Sequence, residues 1–443
     1  MAPGGGIEEF SLVPAHHKYS FGHIILFMSL VLSAAASLRC ASHCLEIVIS
    51  FFQLGLASPS WFCGRLWILR LGYYKLTRAK EKAADWVWIV DHTVQVGSEK
   101  CLVILGIRLC CLPDGRSLSH EDVEPIALLP VKQSNGGVVY QQLKEAIEKT
   151  GIPREIIADH GSDVKSGIDQ FCQEHQETCS VYDIKHKSAL LLKDELQDDK
   201  DWVEFTQLAA QTKRKVQQTA LAFLAPPNQR TKSRYMNIDT LVGWGCWVLT
   251  FLDGQKEEPN KEYDQQQIEE KLGWISRFRG QLGEWEELLQ IVTIAESTVR
   301  KQGLSHSLAH DLNKLLYPVA HSERAKRVHD QLIAFVAEQS LKAKSDERLL
   351  GSSEVIESVF GKLKRMEQDQ ARSGFTALAL SIGAIVSTTT KEVIQKALQT
   401  VPTKKILIWC KEQLGQSVQA KRRKALAHSR KAEQKPDQSR KAA

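Results

Sequence analysis

One apolar segment of the chain ends on a carboxylate. It reads Trp86-Val87-Trp88-Ile89-Val90-Asp91, and aromatic and β-branched residues without alternation are typical of a strand buried on both faces. A carboxylate at the end of such a strand needs a cation, a metal ion or a helix N-terminus nearby. The simpler interpretation is that Asp91 starts a turn at His92. Asp91 is therefore a candidate for chemistry only if partner residues can be found.

A second apolar segment ends in the same way, at Asp159 of Glu155-Ile156-Ile157-Ala158-Asp159. Ser162 is the expected N-cap of the helix that follows. Asp163, in the first turn of that helix, is an alternative to Asp159, although the simpler role for it is an electrostatic cap.

A third acid belongs to a helical pattern between Glu354 and Arg365. On a helix, Glu357, Gly361 and Lys364 lie on one stripe, because side chains three or four positions apart share a face. This stripe could hold a metal ion and bind a phosphate backbone. A solvated charged face is the simpler alternative, and Glu354, one turn earlier, could be the metal ligand instead.

The elements between these acids determine whether they meet. The sequence predicts three strands, then helix, strand, helix, strand and helix, which is the order of a ribonuclease-H-like domain. In that fold the first and fourth strands are neighbours, so Asp91 and Asp159 would lie side by side and repel each other unless a divalent cation lies between them. Oxygen ligands suit Mg²⁺ or Mn²⁺. The predicted elements are strands 86–91, 100–108, 126–131, 155–159 and 180–184, and helices 137–150, 162 onward and 187–196.

In these motifs the chain resembles bacterial insertion-sequence transposases of the DDE type. The matching segments are Val87 to Asp91, Ile156 to Asp163 and Ile356 to Lys364, the last with the Glu-x6-Lys spacing of Glu357 and Lys364. The wide gap between the second and third acids is similar to the gap in those family members that carry an insertion domain within the catalytic fold. Some relatives carry Tyr and Arg seven and four positions before the Glu, where this chain has Leu350 and Ser353.

The resemblance implies an enzyme that cuts the ends of its own element and joins them to target DNA. Asp91, Asp159 and Glu357 would hold two Mg²⁺ or Mn²⁺ ions, and Lys364 would bind a backbone phosphate. The implied partners are double-stranded DNA, both terminal repeats and target, and further copies of the chain in a dimer or larger assembly. The alternative function is a catalytically inactive DNA-binding protein derived from a transposase.

The N-terminal 80 residues are expected to form a helical DNA-binding domain. An apolar segment, His23 to Ala36, is too short to cross a bilayer unaided and follows acidic residues, so a buried core helix is expected rather than a membrane span or signal peptide. A helix beginning at Ser37 and a second from Trp61 to Leu71, with Gly72 as its stop, have the outline of a helix-turn-helix. Its candidate DNA contacts are Arg65 and Arg70.

Length and composition indicate several domains. A chain of 443 residues, 25% of them charged, is long enough for two or three domains. The expected division is a DNA-binding domain at 1–80, a catalytic core at 81–200 and 351–400, a mostly helical insertion at 201–350 and a basic tail at 401–443. Ten cysteines without paired Cys-x-x-Cys spacing indicate reduced thiols in a cytoplasmic, DNA-associated protein.

Two further groups of basic residues are candidates for DNA binding. One lies in a Pro-rich loop and the other follows the fifth strand, and in both cases solvated side chains are the alternative. Trp244 and Trp247 could stack on a base or belong to the core. The two basic groups are Arg230, Lys232 and Arg234, and Lys185 and His186.

Overall fold

A computed structural model describes residues 12–53, 56–96, 99–159, 161–229, 235, 238–257, 263–368, 377–414 and 422–427. The chain divides into two compact units. The first comprises Met1–Leu112, Leu118–Ser180 and Ser353–Ala443, and the second comprises Pro113–Ser117 and Val181–Ser352. The N-terminal helices thus fall in the same unit as the strands, whereas the sequence-based division places them in a separate domain. Most of the predicted basic tail, residues 415–421 and 428–443, lies outside the described residues.

A five-stranded mixed sheet forms the centre of the first unit, with strand order β3-β2-β1-β4-β5. β1 pairs antiparallel with β2, β2 pairs antiparallel with β3, and β1 pairs parallel with β4. The first and fourth strands are therefore neighbours, as the sequence predicted. The strands are β1 Trp86–Val96, β2 Glu99–Arg108, β3 Glu124–Val131, β4 Glu155–Ala158 and β5 Cys179–Tyr182.

One face of this sheet is covered by helices α4 (Gly136–Thr150) and α5 (Ser162–Glu174). Both helices present apolar side chains at helical spacing, and these form one core cluster with every second residue of β1. Asn135 caps α4 by accepting a hydrogen bond from the Val138 amide. Gly161, and not the predicted Ser162, is the N-cap of α5. The cluster includes Trp86, Trp88, Val90, Leu143, Ile156, Ala158, Ile168 and Phe171.

Most of the remaining helices of the first unit contact α3. The remaining helices are α1 Phe21–Leu32, α2 Leu38–Phe51, α3 Trp61–Thr77, α13 Glu354–Gln368, α14 Ser381–Ile385, α15 Lys391–Thr400 and α16 Thr403–Gln413. α3 contacts α1, α2, α14, α15, α16 and β3.

The predicted stop at Gly72 is wrong, because α3 continues to Thr77. Gly72 is instead the point of closest approach to the segment that starts α14: an added Cβ would lie 1.8 Å from the Leu380 carbonyl oxygen. The burial of α3 also contradicts the helix-turn-helix interpretation. A recognition helix needs an open face, whereas the middle of α3, including Trp67, Ile68 and Leu71, is buried.

The second unit is helical, and aromatic rings fill its core. Phe205 contacts the rings of Trp202, Trp244, Trp274 and Trp285. Trp244 is buried and donates a hydrogen bond to the Leu224 carbonyl at 2.9 Å, so it is a core residue. The helices are α6 Ile184–Leu196, α7 Lys200–Val216, α8 Asp239–Glu257, α9 Gln265–Leu272, α10 Arg279–Gln302, α11 Leu308–Leu316 and α12 Glu323–Ser340.

The segment considered as a membrane span forms α1, which is 12 residues long and buries Ile24, Phe27 and Met28. Among the described residues, no helix combines the length and the apolar character needed to cross a bilayer.

Candidate active site

Asp91 lies inside a strand, where the sequence predicted a strand end. β1 continues to Val96 because it pairs with β2 beyond this point, and Asp91 itself lies opposite Val103. The parallel pairing with β4 ends at Val90 and Ala158. Asp91 follows Val90 and Asp159 follows Ala158. The backbones of the two aspartates are therefore neighbours at the carboxyl edge of the parallel pair.

The direction of the Asp91 side chain follows from strand alternation. Trp88 and Val90 belong to the core cluster under α4 and α5, so Asp91 points to the opposite face together with Val87 and Ile89. Helix α13 packs against β1 and carries both candidates for the third acid.

Glu357 and Glu354 both lie in the first turn of α13 and both are half-buried. α13 is held by a hydrogen bond of 3.0 Å between Ser358 Oγ and His120 Nε2. Burial therefore does not distinguish the two acids, and the choice between them stays open.

The two aspartates at the carboxyl edge also bind local backbone amides. Asp91 Oδ1 accepts a hydrogen bond from the His92 amide at 2.6 Å, and Asp159 Oδ1 accepts one from the Gly161 amide at 3.0 Å. Each of these contacts uses one carboxylate oxygen and orients the side chain.

A second group of polar residues, here called the Lys100 cluster, lies beside these acids. It consists of Lys100, Asp163, His92 and Ser134. Lys100 Nζ lies 2.7 Å from Asp163 Oδ2, His92 Nδ1 lies 3.7 Å from the same oxygen, and Ser134 Oγ lies 3.3 Å from His92 Nε2. The cluster ties the starts of β2, α4 and α5 to β1, and nothing in the local sequence patterns predicted it.

The charges within the Lys100 cluster shift the pKa values of Asp163 and His92. Burial opposes ionisation of Asp163, but hydrogen bonds from Lys100 and Ser134 and the positive field of His92 and Lys100 bring its pKa to about 2. Burial lowers the pKa of His92, although Asp163 and Asp159 act in the opposite direction. Asp163 is therefore a carboxylate already paired with a cation, which favours Asp159 as the second candidate ligand.

The donor types suit a divalent cation, whereas the side-chain arrangement is incomplete. Asp91 and Asp159 supply carboxylate oxygens from adjacent backbones, which is the chemistry that Mg²⁺ and Mn²⁺ prefer. Within the described ranges, no three His, Cys, Asp or Glu side chains form a group that could hold a metal ion.

The candidate DNA contacts of the N-terminal helices differ in their surroundings. Arg70 donates through Nε to the Val401 carbonyl at 2.6 Å and through Nη2 to the Leu398 carbonyl. Its guanidinium thus binds the carboxyl end of α15, which contradicts the prediction that Arg70 contacts DNA. Arg65 is half-buried and lies near Cys410.

The other candidate contacts lie elsewhere. Lys364 is exposed on α13. Lys185 and His186 lie in the first turn of α6 in the second unit, where Asp183 accepts a hydrogen bond from the His186 amide and Lys185 interacts with Glu296. The loop residues Arg230, Lys232 and Arg234 lie outside the described residues.

No protein-family model and no curated protein matches this chain. A solved structure described as the Drosophila P element transposase strand transfer complex is similar to it with a TM-score of 0.40 and 11% sequence identity, covering 85% of this chain and 94% of that one. A likeness at this level establishes neither a family nor an activity for this chain.

Proposed function

We propose that this protein is a DNA transposase of the DDE type. Its first unit would be a ribonuclease-H-like catalytic core, and the helical second unit, which enters the chain between β5 and α13, would be an insertion in that core. The enzyme would cut the ends of its element and join them to target DNA.

The observation that carries the proposal is the register of β1 and β4. The last parallel pair is Val90 and Ala158, so the residues that follow, Asp91 and Asp159, are neighbours although they are far apart along the chain. Helix α13, with Glu357, packs against the same strand β1. Every residue of β1 before Asp91 is apolar, and so are the three residues of β4 before Asp159, so core packing alone does not call for a carboxylate at either position.

The proposed chemistry needs no nucleophile from the protein. Water attacks a phosphodiester at the element end, the P–O bond to the 3′-oxygen breaks, and that oxygen leaves as a 3′-hydroxyl. The 3′-hydroxyl then attacks a target phosphodiester in the same site and displaces the adjoining 3′-oxygen. Both steps build up similar charge at phosphorus, so one set of groups serves both.

Asp91, Asp159 and Glu357 would hold Mg²⁺ or Mn²⁺, and three carboxylates would suit a pair of such ions. Bound there, the metal would supply Lewis-acid stabilisation of the negative charge that develops on the phosphate oxygens. Lys364, about two turns further along α13 than Glu357, would bind the phosphate backbone of the DNA as a point charge.

The test is cleavage of a labelled duplex that carries the DNA flanking the coding sequence, in the presence of Mg²⁺. We expect Asp91→Asn, Asp159→Asn and Glu357→Gln each to lower the cleavage rate by about a hundredfold or more, the scale of losing one group that stabilises transition-state charge. DNA binding, measured by gel shift, should persist in all three variants.

Two neighbouring acids serve as matched controls. Asp163→Asn removes the partner of Lys100 and should leave cleavage within a few-fold of the wild type, as should Glu354→Gln. If Glu354→Gln abolishes cleavage and Glu357→Gln does not, the third ligand is Glu354. If all of the variants cleave like the wild type, the proposal is wrong.

The second candidate function is a DNA-binding protein derived from a transposase and inactive in cleavage. It is favoured by the lack, among described side chains, of a group of three metal ligands, and by Leu350 and Ser353 in place of the Tyr and Arg of some relatives. DNA binding without Mg²⁺-dependent cleavage by the wild type would support it.

A further inference from the structure

Helix α2 has two apolar stripes, and only one of them is used inside the first unit. Leu38, Ala41 and Leu45 are buried against neighbouring helices. On the other side of α2, Cys40, Cys44, Ile47 and Phe51 follow one another at spacings of four, three and four residues. Of this second stripe, here called the α2 stripe, Cys40, Ile47 and Phe51 are exposed and Cys44 is half-buried.

The exposure of the α2 stripe increases toward the end of the helix. Ile47 is 66% exposed, Phe51 is 77% exposed and Phe52, just beyond the helix, is 64% exposed. Phe51 and Phe52 contact each other edge to face, with ring centroids 5.1 Å apart. Large apolar side chains exposed together on a helix are the usual mark of an interaction surface.

Further aromatic surface lies beside the first turn of α2. The Arg39 guanidinium stacks over the Trp61 ring at 5.7 Å, and Trp61 contacts Phe62 edge to face. The loop before α3 is fixed to α2, because Ser42 Oγ donates to the Pro59 carbonyl at 2.6 Å. Trp61 and Phe62 thus flank α2 in a fixed position.

The area of this surface fits one subunit's share of a protein interface. At about 200 Å² for each ring, the exposed parts of Phe51 and Phe52 offer roughly 280 Å². Ile47 and Val48 are also exposed and bring the apolar area at this end of α2 to the order of 450 Å², close to the apolar share of the ~800 Å² per partner of a standard interface.

We propose that the α2 stripe is the contact between two copies of this chain. Spacings of four, three and four residues are those of the seam between two paired helices, which favours another helix as the occupant. A second copy offers such a helix with the same stripe, in a two-fold symmetric, self-complementary contact.

The sizes of the side chains favour an antiparallel pair. The stripe is small at one end, with Cys40 and Cys44, and large at the other, with Ile47 and Phe51. In an antiparallel pair, Phe51 of one copy faces Cys40 of the other and Ile47 faces Cys44, so large side chains meet small ones and the seam fills evenly.

The test is the molar mass of the full chain without DNA, measured by size-exclusion chromatography with light scattering at micromolar concentration. The wild type should have twice the monomer mass, and the double variant Ile47→Glu with Phe51→Glu should have the monomer mass. Leu315→Glu is the matched control, because it puts the same charge on an exposed apolar helix residue of the second unit. It should remain a dimer, and circular dichroism should be unchanged in both variants.

A wild-type monomer, or a dimer that persists in the double variant, would overturn the proposal. If the double variant fails to fold, the milder variant Phe51→Ser takes its place, with a dimer weaker by about tenfold or more expected. The result does not depend on the catalytic proposal, since the cleavage assay and the mass are measured separately.

A cross-link tests the antiparallel arrangement. With Phe51→Cys, mild oxidation should join the introduced thiol at position 51 of one copy to Cys40 of the other and give a covalent dimer on a non-reducing gel. Adding Cys40→Ser should abolish that band. A band that persists in Cys40→Ser would indicate parallel helices and contradict the arrangement.

Discussion

Replacing Asp163 by Asn tests the Lys100 cluster, which fixes the edge of the sheet next to the candidate acids. The side chain of Asp163 is 13% exposed, and its pKa of about 2 compares with about 3.9 in an unfolded chain. Since one pKa unit corresponds to about 1.4 kcal/mol, the folded environment stabilises ionised Asp163 by on the order of 2 kcal/mol.

This stabilisation has a defined pH window. The folded-state pKa is lowered, so the contribution is fully present above about pH 4 and is lost as the pH falls from there toward about 2. Asp163→Asn should therefore lower the free energy of unfolding by about 2 kcal/mol at neutral pH, and the difference from the wild type should shrink toward zero near the folded-state pKa.

The assay is urea denaturation followed by tryptophan fluorescence at about pH 7, 5 and 3, which gives two points above this window and one inside it. Asp169→Asn is the matched control, because Asp169 lies on the same helix and pairs with Lys165 at 2.8 Å but is exposed. That exposed pair should contribute at most about 0.5 kcal/mol. A difference between Asp163→Asn and the wild type that is the same at all three pH values would refute the reasoning.

Three other predictions follow from single contacts. Gly72→Ala should destabilise the protein by about 2 kcal/mol or more, because its Cβ would meet the Leu380 carbonyl, whereas Gly243→Ala, with open space around it, should be neutral or slightly stabilising in thermal melts. Arg70→Met should cost about 1–3 kcal/mol by leaving the carbonyls of Leu398 and Val401 without their donor, and an unchanged melting temperature would contradict this role. Burial raises the pKa of Glu296 to about 7, so the wild type should lose stability as the pH rises from about 4.5 to 7. Glu296→Gln should remove that pH dependence in urea titrations, and a variant with the wild-type slope would show that the cause lies elsewhere.

The sheet was predictable from the sequence because its strands are apolar and separated by clear turns and helices. The neighbour relation of β1 and β4 followed from the order of these elements. The length of β1 did not, because an acid inside an apolar run looks like a strand end. The pairing of Asp91, His92 and Thr93 with β2 shows that the strand continues.

The surroundings of individual residues were less predictable. The pattern of α3 shows that it is a helix but not which of its faces become buried, so Gly72 and Arg70 were assigned roles that their neighbours exclude. The Lys100 cluster brings together residues 92, 100, 134 and 163, whose spacing along the chain carries no signal. Such contacts depend on tertiary packing, which local sequence patterns do not encode.

Binding of Mn²⁺ tests the central proposal most directly, because it asks whether Asp91, Asp159 and Glu357 hold metal ions together. Titration of the full-length protein, followed by the loss of the free Mn²⁺ electron paramagnetic resonance signal, should show saturable binding. Each of Asp91→Asn, Asp159→Asn and Glu357→Gln should weaken it by about tenfold or more, while Asp163→Asn should not. Binding of equal strength in the wild type and in all three variants would contradict the account.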